Sequence, residues 1–379
     1  MENRKQLFSI SIVKNEMDII ESFVRYHVNI FDGMIILDNV STDNTLEILR
    51  LLKSDGLPLL IIEDKNSKYD QLLKMNQLLL KAVNEFEADI IIPLDADEFI
   101  ISKTGENPRK ILEKIEPHTF WYVKWKTYVP EFRKNKKFIP SNITLVRDES
   151  LEIFNKIIMP KEIIKDFNAG ITKGNHDLIY EKKYEDLIKS FHNPNLSIAH
   201  YPIRSKEQLL SKIIIGWTNR LHMLDRTEGE SFHIKNIFNK LKENQDIENQ
   251  DVINFAKEYA LLDEVSEVNV REDPIDLSFC NNIEIKYSDK QIDPMANVLE
   301  ACEALSLNLL NLKKEKLEGE QRLNIQIQNL SLELKESYTE HMKEEKLLIS
   351  KLDEYENSNS WLITSPLRKF GYKLKNLRK

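Results

Sequence analysis

Three acidic residues crowd into four positions in "PLDADEFI" (93–100): Asp95, Asp97 and Glu98 follow directly on an apolar run. Carboxylates this close repel one another unless hydrogen-bond donors, a cation or water offset the field. An Asp-x-Asp pair at the mouth of a buried strand can aim two carboxylates at one hard cation, chemistry that suits Mg2+ or Mn2+ sharing coordination with phosphate oxygens. The plainer alternative is that Asp95 and Asp97 cap the next turn and Glu98 is solvated. Polar groups also follow three other apolar runs: Lys14-Asn15-Glu16, Asp38-Asn39 and Glu63-Asp64. Further on, His200 closes "SIAH", and Arg204 and Lys212 follow it as cations able to neutralise phosphate.

The elements that would position these residues are legible from periodicity. "LFSISIV" (7–13), "GMIILDN" (33–39), "LPLLIIED" (57–64) and "ADIIIPLD" (88–95) read as strands. Between them, "EMDIIESFVRYHVNIF", "STDNTLEILRLLKSDG" and "YDQLLKMNQLLLKAVNEF" have apolar residues at helical spacing, the second opening on Ser/Thr/Asp capping chemistry and closing at Gly56. This β-α-β-α-β-α-β series predicts an α/β fold with a mostly parallel sheet and helices on both faces. Ligands of such sheets bind beyond the carboxyl ends of the strands, where all four polar clusters fall.

Beyond residue 120 the pattern loosens. "FWYVKWKTYV" and "FNKIIMP" read as strands, and "SIAHYPIRSKEQLLSKIIIGW" as a strand turning into a helix. Trp121, Trp125 and Tyr128 could wall a sugar site, although alternating aromatics in a strand serve first as core. His27, inside an amphipathic helix, is expected to hydrogen-bond internally. The catalytic region thus spans 1–235, and 236–298 reads as short helices and loops, a helical accessory or linker region. From 299 to 356 Leu, Glu and Lys dominate, and Leu323, Ile327, Leu330 and Leu334 alternate in steps of four and three, the seam of a coiled coil. A coiled coil or helical hairpin is expected, with self-association into a homo-oligomer following from it; the plainer alternative is one solvated helix lying on the catalytic region.

Bulk properties narrow the class. The 379 residues exceed one ordinary domain, 31% are charged, and the net charge of −8 argues against nucleic acid as the partner. Cys280 and Cys302 form neither a metal-finger spacing nor a disulfide framework. The opening apolar patch is too short for a secretory signal and no stretch reaches a membrane span, so a cytoplasmic location is expected. The end, 357–379, differs: Trp361, Leu362, Ile363, Leu367, Phe370, Tyr372 and Leu374 alternate with Arg368, Lys369, Lys373, Lys375, Arg378 and Lys379. A basic amphipathic end on an acidic chain points to peripheral contact with the anionic inner face of the cell membrane.

Taken together, "SIVKNE", "ILDNVSTDNTLEIL" and "IIPLDADEF" resemble the nucleotide-sugar half of bacterial family 2 type glycosyltransferases of the GT-A fold, over residues 7 to about 220. The subgroup with an early "KNE…E…YH" is matched by Lys14-Asn15-Glu16, Glu21 and Tyr26-His27. The resemblance implies that Asn15 and Glu16 border the base and ribose, that Asp38, Asn39 and Asp64 face the nucleobase, and that Asp95 holds ribose or a metal-bound water. It further implies a divalent ion, Mn2+ or Mg2+, on Asp97, with Asp95 and His200 as companion ligands and Arg204 on the diphosphate. A UDP-sugar is the first expectation for the donor. Many members carry a second Asp where this chain has Asn39, an amide that donates as well as accepts, which keeps cytosine and guanine open.

For the catalytic base the resemblance directs attention to "AGITKGNHDLIY", where Asp177 is the first candidate and His176 its substitute, with Asp186 of "YEDL" third. The competing reading of this stretch is a turn with local hydrogen bonds. The expected function is metal-dependent sugar transfer, with inversion, from a nucleotide-diphosphate donor to a cell-surface glycan or lipid-linked acceptor. A nucleotidyltransferase and a catalytically degenerate scaffold are the alternatives. The first lacks its usual glycine-rich loop in "IVKNEMDII", and the intact Asp-x-Asp argues against the second.

Overall fold

The computed structural model describes residues 4–64, 70–133, 136–221, 232–243, 245–261, 267–281, 283–288 and 293–376. It divides into two compact units, Met1–Ala304 and Leu305–Lys379. The first unit begins with the expected alternation: β1 (Leu7–Val13), α1 (Ile20–His27), β2 (Gly33–Asp38), α2 (Thr45–Ser54), β3 (Leu59–Glu63), α3 (Gln71–Glu85) and β4 (Ile90–Pro93). There follow β5 (Glu98–Ser102), α4 (Pro108–Leu112), β6 (Thr119–Val129), α5 (Ile139–Asn142), β7 (Leu145–Arg147), β8 (Asn155–Pro160) and α6 (Lys161–Phe167). The remainder comprises β9 (Gly170–Ile171), β10 (Leu178–Ile179), β11 (Lys189–His192), β12 (Leu196–His200), α7 (Lys206–Leu221), α8 (Phe232–Lys242), α9 (Asn249–Glu258) and β13 (Val270–Glu272).

The central sheet runs β13-β7-β6-β8-β4-β1-β2-β3. Its β4-β1-β2-β3 portion is parallel, because a helix carries the chain back between each pair of successive strands. From β4 outward, β8, β6, β7 and β13 pair antiparallel. Alternation along β1 sorts the core: Leu7 and Val13 pack with Phe23 and Leu49 on one face, while Ile10 packs with Leu78, Leu79 and Val83 of α3 on the other. The parallel portion of the sheet is therefore covered on both faces, and its polar clusters sit at the strand ends.

Three residues of the early motif serve structure. Tyr26 donates its hydroxyl to Ile100 O at 2.9 Å. His27, fully buried, pairs Nδ1 with Phe23 O at 2.9 Å and accepts Ile100 N–H on Nε2 at 3.3 Å, the expected internal role. Glu21, also buried, accepts the backbone N–H groups of Lys286, Tyr287 and Ser288 at 2.6–2.9 Å, fastening the end of the 236–298 segment to α1. That segment packs within the first unit, and β13 pairs with β7.

The second unit holds most of α10 (Pro294–Glu356) and α11 (Asn359–Asn376). Its helix α10 is unbroken through the expected register drift at Tyr338, and Leu323, Ile327, Leu330 and Leu334 are all exposed. Among the described residues, no helix is long and apolar enough to cross a membrane. Leu377, Arg378 and Lys379 of the basic end lie outside the described residues.

Candidate functional site

The loop after β1 is built by the loop after β2. Asn15 takes a left-handed conformation (φ 56°), and its Oδ1 accepts Thr42 N–H at 2.9 Å. In return Ser41 Oγ accepts Asn15 N–H, Thr45 Oγ1 accepts Glu16 N–H and Asp43 Oδ2 accepts Met17 N–H, at 3.0, 2.8 and 3.2 Å. "STDNT" thus clips the Lys14–Met17 backbone in place, and Asp43 rather than the N-cap Asn44 bonds the first turn of α2.

Glu16, held on this clipped loop, meets Arg204. The guanidinium grips Asp18 through Nε and Nη2 at 2.7 and 2.8 Å and Glu16 through Nη2 at 2.7 Å. Burial would lower the Arg204 pKa, but Asp18 and Glu16 outweigh it and keep the group charged. Burial likewise pushes the Glu16 carboxyl up, to about 8, against the pull of Arg204 and with the push of Asp97 and Asp18.

The acidic cluster of "DADE" is compensated from β8. Lys156, fully buried, places Nζ 2.7 Å from Asp95 Oδ2 and 3.1 Å from Glu98 Oε2. Glu98 is buried rather than solvated and also accepts Asp95 N–H at 3.0 Å. Burial raises its pKa to about 8, Lys156 opposing and the neighbouring Asp95 and Asp97 adding to the rise. Lys156 itself stays charged: desolvation works against it, but the two carboxylates prevail.

Asp97 lies across from a different set. The antiparallel register of β5 with β12 aligns His200 with Glu98, and Tyr201 N–H bonds Asp97 O at 2.8 Å. His200 Nε2, Arg204 Nη1 and Lys212 Nζ then stand 3.7, 3.9 and 4.0 Å from Asp97 Oδ2. Burial would raise the Asp97 pKa, but His200, Lys212 and Arg204 hold it well below the usual carboxylate range. At these separations the carboxylate gains charge compensation without giving up its lone pairs to short hydrogen bonds.

A cavity of about 300 Å3 opens here, lined among others by Lys14, Glu16, Asp95, Asp97, His200 and Lys212. Trp125 walls it, its ring tilted by 34° against His200 with centroids 4.1 Å apart. Tyr259, from the segment expected to be a linker, closes another side, its ring 4.8 Å from Lys212 Nζ. No periodicity marks Tyr259 in the sequence. Lys156 was legible in principle, as a lone cation inside the apolar strand "NKIIMP".

Asp95, Asp97 and His200, the expected metal ligands, all line this cavity. Among the described residues no three His, Cys, Asp or Glu side chains gather into a metal-holding group, and Asp95 Oδ2 is engaged by Lys156. The donor types still fit a hard ion in part. Asp97 keeps its lone pairs available, and the buried His200 Nδ1 has no hydrogen-bond partner among the described residues. An ion held this way would complete its shell with water and phosphate oxygens.

The residues expected at the nucleobase form a separate group at the ends of β2 and β3. Lys74, on α3, joins Asn39 Oδ1 at 2.7 Å to Asp64 Oδ2 at 2.5 Å. Asp38 Oδ2 accepts Ser41 N–H at 3.0 Å, and its buried Oδ1 has no hydrogen-bond partner. Asn39 N–H bonds Val13 O at 2.8 Å, linking this group to the strand that ends at the cavity.

The base candidates divide. Asp177 does not line the Asp97 cavity: its Oδ1 accepts the Tyr122 hydroxyl at 2.7 Å in a neighbouring hollow. Asp186 is exposed and lines neither. His176 packs on the Trp125 side of the cavity, edge-on to that ring at 5.7 Å, with Nδ1 2.7 Å from Asn155 O. Burial lowers its pKa, helped by Lys156 and opposed by the Asn155 hydrogen bond, so the ring is neutral near pH 7. The hairpin that carries both is tied to α3: Asn76 bonds Ile171 N–H and O at 2.9 and 3.1 Å, close against Gly170, where a Cβ would meet Asn76 Oδ1 at 2.5 Å.

No protein-family model matches the sequence, nor does any curated protein. Solved structures similar to the chain include TarS 1-349 of S. aureus (14% identity, TM-score 0.34, 60% of this chain and 69% of that one). Another is the mannosyltransferase PcManGT of Pyrobaculum calidifontis in complex with GDP-Man and Mn2+ (12% identity, TM-score 0.35, 67% and 74%). A third is GalNAc-T7 with UDP, GalNAc and Mn2+ (10% identity, TM-score 0.34, 69% and 57%).

Proposed function

We propose that the chain is a glycosyltransferase that binds a nucleotide-diphosphate sugar across the carboxyl ends of β1 and β4 and transfers the sugar with inversion. The observation that carries this reading is the convergence of Glu16, Asp95, Asp97, His200 and Lys212 on one cavity at those strand ends. The nucleotide lies toward Asp38, Asn39, Asp64 and Lys74, and the diphosphate beside Lys212. Arg204 holds Glu16 against the loop so that the cavity wall keeps its shape.

The chemistry requires charge to be stabilised at the leaving diphosphate and a proton to be taken from the acceptor hydroxyl. A divalent ion, Mn2+ or Mg2+, held by Asp97 with Asp95 and His200 beside it, supplies Lewis-acid stabilisation of the leaving group when bound. Lys212 adds a fixed positive charge on the same side. His176, neutral and oriented through Nδ1 by Asn155 O, accepts the acceptor proton on Nε2. The acceptor oxygen then bonds to the anomeric carbon as the sugar–phosphate bond breaks.

The acceptor is a cell-surface glycan or its lipid-linked precursor. Along α11, Ile363, Leu367, Phe370 and Leu374 are exposed at i, i+4, i+7 and i+11, one helical face, between Arg368 and Lys375 on one side and Lys369 and Lys373 on the other. That face rests on an anionic bilayer, and α10 joins copies of the chain along its leucine seam.

A screen of nucleotide sugars for release of nucleoside diphosphate tests the reading. One donor should be turned over, and Asp97→Ala should lower the rate at least about a hundredfold, as loss of several kcal/mol of transition-state stabilisation requires. Undiminished turnover in that variant removes Asp97 from the chemistry.

A further inference from the structure

Beside the Asp97 cavity, a second hollow of about 380 Å3 opens between β6, β10 and β11, and none of the donor chemistry uses it. Its polar side chains are Tyr122, Asp177, Tyr180 and Ser190, over a floor that includes Phe120 and Ile188. Asp177 is fixed in it rather than loose: Oδ1 accepts both the Tyr122 hydroxyl at 2.7 Å and Leu178 N–H at 2.8 Å. Among the described residues the hydrogen bonds of this carboxylate fall on Oδ1, so Oδ2 can accept from a ligand. Tyr122 is fixed in turn, stacked on His192 with centroids 4.8 Å apart and planes 23° apart. Partial burial and the Asp177 contact raise its pKa, so the hydroxyl remains a donor at every physiological pH.

An oriented carboxylate and two tyrosines around a partly apolar floor match the chemistry of a pyranose, whose hydroxyls seek acceptors while its C–H faces pack on aromatic rings. Position adds to composition. His176 and Asp177 are consecutive, yet the first reaches Trp125 on the cavity wall and the second reaches Tyr122 in the hollow. One peptide unit therefore partitions the two openings. Trp125 and Tyr122, three residues apart on β6, face opposite sides of the strand, so the two openings are connected around the His176–Asp177 turn and not along the strand. The turn that makes the partition is held open by Gly174 at φ +82°.

We propose that this hollow is a carbohydrate subsite that holds a sugar ring of the glycan acceptor, a residue or more away from the hydroxyl that reacts. The acceptor role rests on the glycosyltransferase reading; the binding of sugar does not.

Saturation-transfer difference NMR on the full chain tests it, with maltose, cellobiose, lactose and chitobiose as probes. At least one should receive saturation, keep it in excess UDP and GDP, and lose it at least fivefold in Tyr180→Ala and in Asp177→Asn. Tyr180→Phe, which keeps the ring, should retain most of it and guards against misfolding as the cause. Absence of transfer to all four sugars, displacement by the nucleotides, or full retention in both disruptive variants overturns the subsite. None of these outcomes reads nucleotide release, so failure here and failure of the transferase reading remain distinguishable.

Discussion

At the scale of single residues, Lys156 explains how Asp95, Asp97 and Glu98 coexist. A buried ammonium shared by Asp95 and Glu98 offsets one carboxylate charge, and burial raises the Glu98 carboxyl to about 8, leaving it largely protonated near neutral pH. Asp97 is faced separately by His200, Arg204 and Lys212. Asp97 thus stays ionised beside cations at 3.7–4.0 Å, none in short contact with it, a setting that suits an anionic ligand arriving with its own cation. His176 is the residue whose titration should govern rate. Because burial lowers its pKa, the ring is the competent base above that value, and activity should be flat at neutral pH and fall only on acidification below the ordinary imidazole range. His176→Gln should lower kcat by about 10²–10⁴-fold and abolish that acid limb in a pH–rate profile. An unchanged limb in the variant would assign the titration to another group.

At the scale of elements, the strands and helices between residues 7 and 95 are legible in the sequence because apolar periodicity there is set by burial on both sheet faces. The strand ends therefore locate Glu16, Asp38, Asp95 and Asp97 without the structure. What periodicity does not carry is pairing direction and side-chain aim. The antiparallel β8, which brings Lys156 under Asp95, and the hairpin that sends Asp177 away from the cavity, depend on long-range register. "STDNT" reads as a helix cap but works chiefly as a clip for another loop, a contact with no local signature. That clip carries strain: Val40, β-branched, sits at φ 57°, a left-handed conformation costly for such a residue. Val40→Gly should relieve it and stabilise the fold by about 1 kcal/mol after the entropic cost of glycine, read as a higher urea midpoint. A lowered midpoint would show that the loop stores no strain there.

At the scale of the whole molecule, the two units have different chemistry. The first buries its apolar residues and concentrates charge at strand ends, while the second exposes leucines along α10 and an apolar face with flanking cations on α11. If α11 rests on lipid, the chain should co-sediment with vesicles containing phosphatidylglycerol and not with purely zwitterionic ones, and binding should weaken with salt. Phe370→Asp, or truncation after Asn357, should remove it; equal binding to both vesicle types would exclude the electrostatic contribution. The most direct test of the central claim, that the strand-end cavity takes a nucleoside diphosphate with a metal ion, is calorimetric titration of UDP, GDP and CDP with and without Mn2+. One nucleotide should bind at least tenfold more tightly with Mn2+, and Asp97→Asn should erase that difference. Binding of none, or equal affinity regardless of Mn2+ and of Asp97, would contradict it.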